Sequence, residues 1–140
     1  MRGKIALARY FGGYRGGKSL EAEKRGVAAL LVFSDPIDDG WFQGGVYPDG
    51  PWGPTSHFQR GANVYDFNIP GDPLTPGWAS VAGAKRIPES EATTLPKMPM
   101  MPLSARDAAE ILSRLGGNPV AEGWQGVAIA DTYRTGPGPV

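Results

Sequence analysis

Residues 71–78 read GDPLTPGW. Two prolines within four residues cannot lie inside a helix or in a central strand, because each removes a backbone donor and fixes its own φ. The chain must therefore run here as a rigid, non-repetitive loop. The same punctuation extends along the whole chain, with 21 glycines and 14 prolines making 35 of 140 residues. That fraction is high enough for disorder to be weighed. Hydrophobic residues nevertheless make up 41% of the chain, and they fall into periodic blocks. Residues 1–140 therefore read as one folded, loop-rich domain of ordinary core size.

Charge and composition exclude several functions. The 14 basic and 14 acidic residues balance to a formal net charge of 0. There is no basic stripe of the kind that nucleic acid or an anionic membrane would require. No apolar run approaches transmembrane length, and MRGKIALARY goes straight into a strand-like pattern with no apolar signal region. With 0 cysteines and 1 histidine, disulfides, thiol catalysis and structural zinc sites are out of reach. A serine-histidine-aspartate triad would have to use His57, which lies in the Gly/Pro-rich stretch PWGPTSHFQRG, and the chain has no GxSxG elbow. A lone loop histidine of this kind is more often a surface side chain than a general base.

The periodic blocks give a coarse order of elements. KIALARY, residues 4–10, alternates as a strand. After the loop FGGYRGG, residues 19–25 read as a short helix stopped by Gly26, with Lys24 and Arg25 at the negative end of its dipole. VAALLVF, residues 27–33, is a continuous apolar run suited to a strand buried on both faces. The three together make a parallel crossover, expected to be right-handed. Residues 38–60 are rich in Gly, Pro and aromatics, too long for an ordinary connection and therefore functional or packed on a neighbour. Residues 92–104 are extended, and their three prolines confine them to a sheet edge. Ser104 caps a second helix running to 115, with Asp107 completing a capping-box-like pair and Gly116-Gly117 ending it. WQGVAIADTY, residues 124–133, alternates as a last strand. The expected core is Ile5, Leu7, Val27, Leu30, Leu31, Val32, Ile111, Leu112, Leu115, Val127 and Ile129.

The ordered run of RGKIALARY, YRGGKSLEAEKRGVAALLVFSDP, YPDGPWG, QRG, GDPLTPGW, a proline-broken strand into a Gly-Gly-terminated helix, and WQG…GPGPV spans the chain. It resembles the protease-associated domain inserted in glutamate carboxypeptidase II, its bacterial peptidase relatives and the transferrin receptor. Each motif alone is weak, but their joint order is specific. The resemblance implies an α/β fold: a β-sandwich or open β-barrel of about six or seven strands with two principal helices. It further implies an accessory domain without catalytic residues, covering the active site of a larger zinc exopeptidase and taking part in peptide recognition. The zinc ligands would lie in the catalytic domain of that parent, which is the implied partner, alongside a homodimer of the parent and an extracytoplasmic location.

Three sites carry over from the family. Tyr14-Arg15-Gly16 matches an aromatic-Arg-Gly turn whose arginine binds the free carboxylate of the substrate's C-terminal residue, a task for which the guanidinium fork is well shaped. By residue type alone, Arg15 is an exposed arginine in a Gly-rich turn. An asparagine after QRG also lines the pocket in the family; in Gln59-Arg60-Gly61-Ala62-Asn63 the place falls to Ala62 or Asn63. Thr75 and the carbonyl of Trp78 match two ligands of a structural calcium whose other ligands are carboxylates of the catalytic domain. Calcium takes six to eight oxygens, so this loop offers only part of a site. By residue type alone, it is a rigid turn with Trp78 packed on the core.

Two further functions compete with a peptidase accessory domain. One is a protein-interaction module of a catalytically inactive, transferrin-receptor-like parent. The other is a freestanding small-molecule carrier built on the aromatic segment 38–60, which requires a closed pocket within the chain. Zinc ligands downstream in the parent chain would favour the accessory-domain reading, and their absence the interaction module.

Overall fold

The computed structural model describes residues 1–10, 12–61 and 63–138. Ala62, one of the two candidates after QRG, lies outside the described residues. So do Phe11 of the first loop and the last two residues of the tail. The chain divides into two compact units, residues 1–6, 12–30 and 61–100, and residues 7–11, 31–60 and 101–140.

Three strands, β1 (Ile5–Arg9), β2 (Ala29–Phe33) and β3 (Met100–Leu103), form a parallel sheet in the order β1-β2-β3. The continuous apolar run thus becomes the central strand, with Leu30, Val32 and Phe33 buried. The proline-rich segment supplies the edge, where Pro102 needs no ladder partner for its nitrogen. Among the described residues three strands stand where six or seven were expected. Elsewhere the extended backbone forms isolated bridges, Val46 with Trp52 and Pro119 with Arg134.

Helix α1 (Arg15–Lys24) begins four residues before its expected start. The Gly16-Gly17 pair lowers helix propensity, yet Gly16 is buried, and a Cβ there would collide with the carbonyl of Val64. Tertiary approach overrides propensity at this turn. The helix ends as a Schellman motif: the Gly26 amide donates to Glu23 O at 2.9 Å, the Val27 amide to Ala22 O at 3.1 Å, and Gly26 has φ 69°. Helix α2 (Ala105–Leu112) is capped as expected, the Asp107 amide donating to Ser104 Oγ at 3.1 Å and Ser104 Oγ to Asp107 Oδ2 at 2.6 Å. It ends at Leu112 rather than 115, and Leu115 follows in a turn.

The core of the second unit gathers Phe33, Ala108, Leu112 and Tyr133, with Leu7, Leu103, Leu115, Val120, Ala128 and Ile129 packed on it. Four of the expected core residues, Ile5, Leu31, Ile111 and Val127, are neither buried nor packed on that cluster. Ile5 is 66% exposed, because the pleat turns Ala6 inward and only the later part of Ile5's face, at Leu7, is covered. Leu31 is half-buried.

The last expected strand is absent: residues 125–133 form bends and irregular backbone. The alternation is real, but side chains take the backbone donors. The Val127 amide donates to Asp35 Oδ1 at 3.0 Å, Ala128 to the Tyr133 hydroxyl at 2.8 Å, and Tyr133 to Gln125 Oε1 at 2.8 Å. With these donors satisfied by side chains, no neighbouring strand is needed. No helix in the described residues is long and apolar enough to cross a membrane.

Candidate functional site

Tyr14 and Arg15 sit where the glycine loop enters α1. Tyr14 is the extended N-cap residue, and Arg15 opens the first turn, so the guanidinium stands at the positive end of the helix dipole. The Tyr14 hydroxyl donates to Asp66 Oδ1 at 2.7 Å, and its ring meets Phe67 edge-on at 5.6 Å. Accepting that hydrogen bond, the Asp66 carboxylate holds the tyrosine hydroxyl above its ordinary pKa. Arg15 Cζ lies 5.9 Å from the Tyr14 ring centre. Upstream, Lys18 Nζ donates to the carbonyls of Gly12 at 2.5 Å and Gly13 at 3.2 Å, bracing the loop that leads into the turn. Burial of Lys18 lowers its pKa.

The stretch after QRG meets this turn. A Cβ built on Gly61 would overlap Arg15 Nε and Cζ and lie 2.8 Å from Cδ, so the arginine side chain lies directly over the Gly61 backbone. Asn63 Nδ2 donates to Gly61 O at 3.4 Å. Asn63 Oδ1 is buried with no hydrogen-bond partner among the described residues. Tyr14 and Arg15 are thus brought together with Gly61, Asp66 and Phe67 from segments far apart in sequence. The family's aromatic-Arg-Gly motif, not residue type, pointed to the arginine. The close approach of Gly61 left no sequence signal beyond a glycine.

The octapeptide closes on itself. Asp72 Oδ1 accepts the Leu74 amide at 2.9 Å; Oδ2 accepts Ser80 Oγ at 2.6 Å and also pairs with Arg86. These donors, the serine hydroxyl foremost, depress the Asp72 pKa to about 2. The Trp78 amide donates to Thr75 O at 3.2 Å, placing the two expected metal-site residues in one turn. Thr75 is 3% exposed, and its Oγ1 has no hydrogen-bond partner among the described residues. A buried hydroxyl left so costs about 1–3 kcal/mol, a reason to look for a ligand outside this chain. Trp78 is not packed on the core as residue type alone would have it: it is 43% exposed, and its indole N–H donates to Lys85 O at 2.8 Å.

Among the described residues no three His, Cys, Asp or Glu side chains come together as a metal site. A groove of about 290 Å³ is lined by Leu20, Glu23, Lys24, Tyr65, Thr93, Leu95 and Lys97, all outside the aromatic segment 38–60. Within that segment Trp41, Phe42, Tyr47 and Phe58 are exposed.

No protein-family model matches the chain. Its sequence is similar to the glutamate carboxypeptidase 2 homolog of Caenorhabditis elegans, 38% identical over 143 residues that cover 99% of this chain and 19% of that protein. It is also similar to the aminopeptidase NAALADL1 of Mus musculus, 36% identical over 141 residues, covering 99% of this chain and 18% of that protein. An inactive zinc metalloprotease of Schizosaccharomyces pombe is 35% identical over 101 residues, covering 69% of this chain and 12% of that protein. The chain therefore corresponds, along nearly its whole length, to one segment of larger carboxypeptidase- and aminopeptidase-type proteins, and spans less than a fifth of the length of these relatives.

Proposed function

We propose that this chain is the protease-associated domain of a zinc-dependent exopeptidase. It has no catalytic residues of its own; it covers the active site of the parent's catalytic domain and contributes Arg15 to peptide recognition. The observation that carries this reading is the close approach of Arg15, beside Tyr14 at the N-terminus of α1, to Gly61, whose carbonyl accepts from Asn63 Nδ2. Arg15 supplies a planar cation for a carboxylate, and the unpartnered Asn63 Oδ1 an acceptor for a substrate N–H. The parent's zinc would belong to its catalytic domain, which would supply the ligands.

The Thr75 hydroxyl fits a calcium site shared with the catalytic domain, because it is a buried hard oxygen without a partner among the described residues. Thr75 Oγ1 and the Trp78 carbonyl would hold the ion, with carboxylates of the catalytic domain completing the six to eight oxygens it needs. Bound there, the ion would tie the loop to its neighbour. The parent would act outside the cytoplasm, as the family resemblance implies, and pair as a homodimer.

Steady-state kinetics on the full-length parent test the reading. Arg15→Ala should cost about 1.5–3 kcal/mol of interaction with a substrate carboxylate, roughly ten- to a hundredfold in kcat/KM, and leave the corresponding amide substrate unaffected. Loss on neither substrate would remove Arg15 from the pocket. A second reading, an interaction module on a parent without activity, is favoured by the similarity to a protein named as an inactive zinc metalloprotease. A full-length parent that lacks turnover and does not retain zinc would select it.

A further inference from the structure

We infer that Gly61 and Lys18 are positioning residues that fix the direction of the Arg15 guanidinium, and through it the preference for substrates with a free carboxylate. The inference deepens the reading of Arg15 above and rests on it. An arginine side chain is long and rotamer-rich, so a carboxylate is read in a fixed direction only if the stem is held. Among the described residues two features act on it, a shelf under the side chain and a clamp on the loop that leads into it. From below, the Gly61 backbone forms a shelf: a single added carbon there would overlap Nε and Cζ and press within 2.8 Å of Cδ. Gly61 does not have a left-handed φ. A glycine is needed for the space, not for the conformation. From the N-terminal side, the Lys18 ammonium binds two successive carbonyls, Gly12 at 2.5 Å and Gly13 at 3.2 Å, and so fixes the two residues that precede the Tyr14-Arg15 turn. Neither residue need touch substrate for this.

Gly61→Ala is a sharp probe because it adds one methyl group under the guanidinium and changes no charge. In the full-length protein, kcat/KM for a free-carboxylate peptide should fall on the order of tenfold or more, toward the hundredfold that a displacement of about 1 Å can cost. The change should appear mainly in KM, with the matching amide unaffected. The loss should vanish in an Arg15→Ala background, since the two residues act as one unit. Lys18→Met should lose in the same direction, and Lys18→Arg should restore most of it. The Arg15 Nε–H resonance, assigned by its disappearance in Arg15→Lys, gives a readout that needs no turnover: it should shift in Gly61→Ala and in Lys18→Met. If Arg15→Ala is selective for the carboxylate but Gly61→Ala loses equally on both substrates, or on neither, the positioning role is overturned. If Arg15→Ala is itself unselective, the carboxylate-reading role falls. The resonance then decides the positioning alone, a shift supporting it and an unmoved signal overturning it.

Discussion

Asp35-Pro36-Ile37 and Asp72-Pro73-Leu74 fold into the same turn in opposite surroundings. In each, Oδ1 accepts the amide two residues on, at 3.1 Å from Ile37 and 2.9 Å from Leu74. In each, the aspartate carbonyl accepts the amide three residues on, at 2.9 Å from Asp38 and 3.0 Å from Thr75. Proline at the second place presets the turn, and the aspartate side chain closes it. The second carboxylate oxygen is where they part. Asp35 Oδ2 pairs with the Tyr133 hydroxyl and lies 3.8 Å from Arg9 Nε, and the residue is 1% exposed. Arg9 in turn donates to the Trp124 and Gln125 carbonyls at 2.9 Å and to Asp38 at 2.6 Å. Asp72 Oδ2 pairs with Ser80 and Arg86 at the surface. The dipeptide Asp-Pro fixes the local shape, and burial decides how much the rest of the unit depends on it.

Asp35→Ala should therefore produce the largest effect. It would leave the Tyr133 hydroxyl and the amides of Ile37 and Val127 without their buried acceptor and take one of two carboxylates from Arg9, which keeps Asp38, and removing one member of a buried charged network costs about 3–5 kcal/mol. Urea denaturation of this chain measures it directly. A loss below about 1 kcal/mol would mean that the Asp35 network contributes no more than a surface turn does, and the contrast with Asp72 would collapse.

Both turns were legible as punctuation, but not as different things. Periodic and apolar blocks marked β1, β2 and α2, because they report on burial along a single segment, while prolines marked the edge segment that holds β3 and the Gly26 stop marked α1. The capping signature at Ser104 and the glycine stop at Gly26 were local and held. What local signals could not carry were contacts made across the chain. The early start of α1 depends on Val64 accepting the close approach of Gly16. The missing last strand depends on Asp35 and Tyr133 taking amides of residues 127 and 128. The candidate site divides in the same way: Arg15, Thr75 and Trp78 were picked out through the family's motifs, whereas the Gly61 shelf exists only once Gly61 meets Arg15, and the Lys18 clamp, though local to residues 12–18, is a side-chain contact that no motif marks.

Tyr133→Phe should rank next. It removes the hydroxyl that donates to Asp35 and accepts from the Ala128 amide, leaving two buried groups unpaired at about 1–3 kcal/mol. Burial, and then the bond to Asp35, push the Tyr133 hydroxyl well above its ordinary pKa. A group held protonated in this way contributes its stability below the unfolded value of about 10 and loses it as pH rises beyond that value. The gap between wild type and Tyr133→Phe should accordingly narrow above pH ~10. A gap that is constant through that range would show that the hydroxyl does not donate to Asp35.

Asp72→Asn should be the mildest change, and it tests the exposed half of the comparison. The amide keeps an oxygen for Leu74 and loses the charge that faces Arg86. The global melting temperature should barely move, whereas amide exchange should quicken locally at Thr75, Trp78 and Ile87, whose donors close the loop. The pH dependence has a definite sign. The folded pKa of Asp72 is depressed to about 2, against about 3.9 when unfolded. Its contribution is therefore complete above pH ~4 and drains away as pH falls toward 2. Protection of the wild-type loop, corrected for intrinsic exchange, should converge on that of Asp72→Asn across this interval and exceed it at neutral pH. Loss of global stability as large as that of Asp35→Ala would mean that the 71–87 loop is integral to its unit. The two Asp-Pro turns would then be equivalent, and burial would not be what separates them.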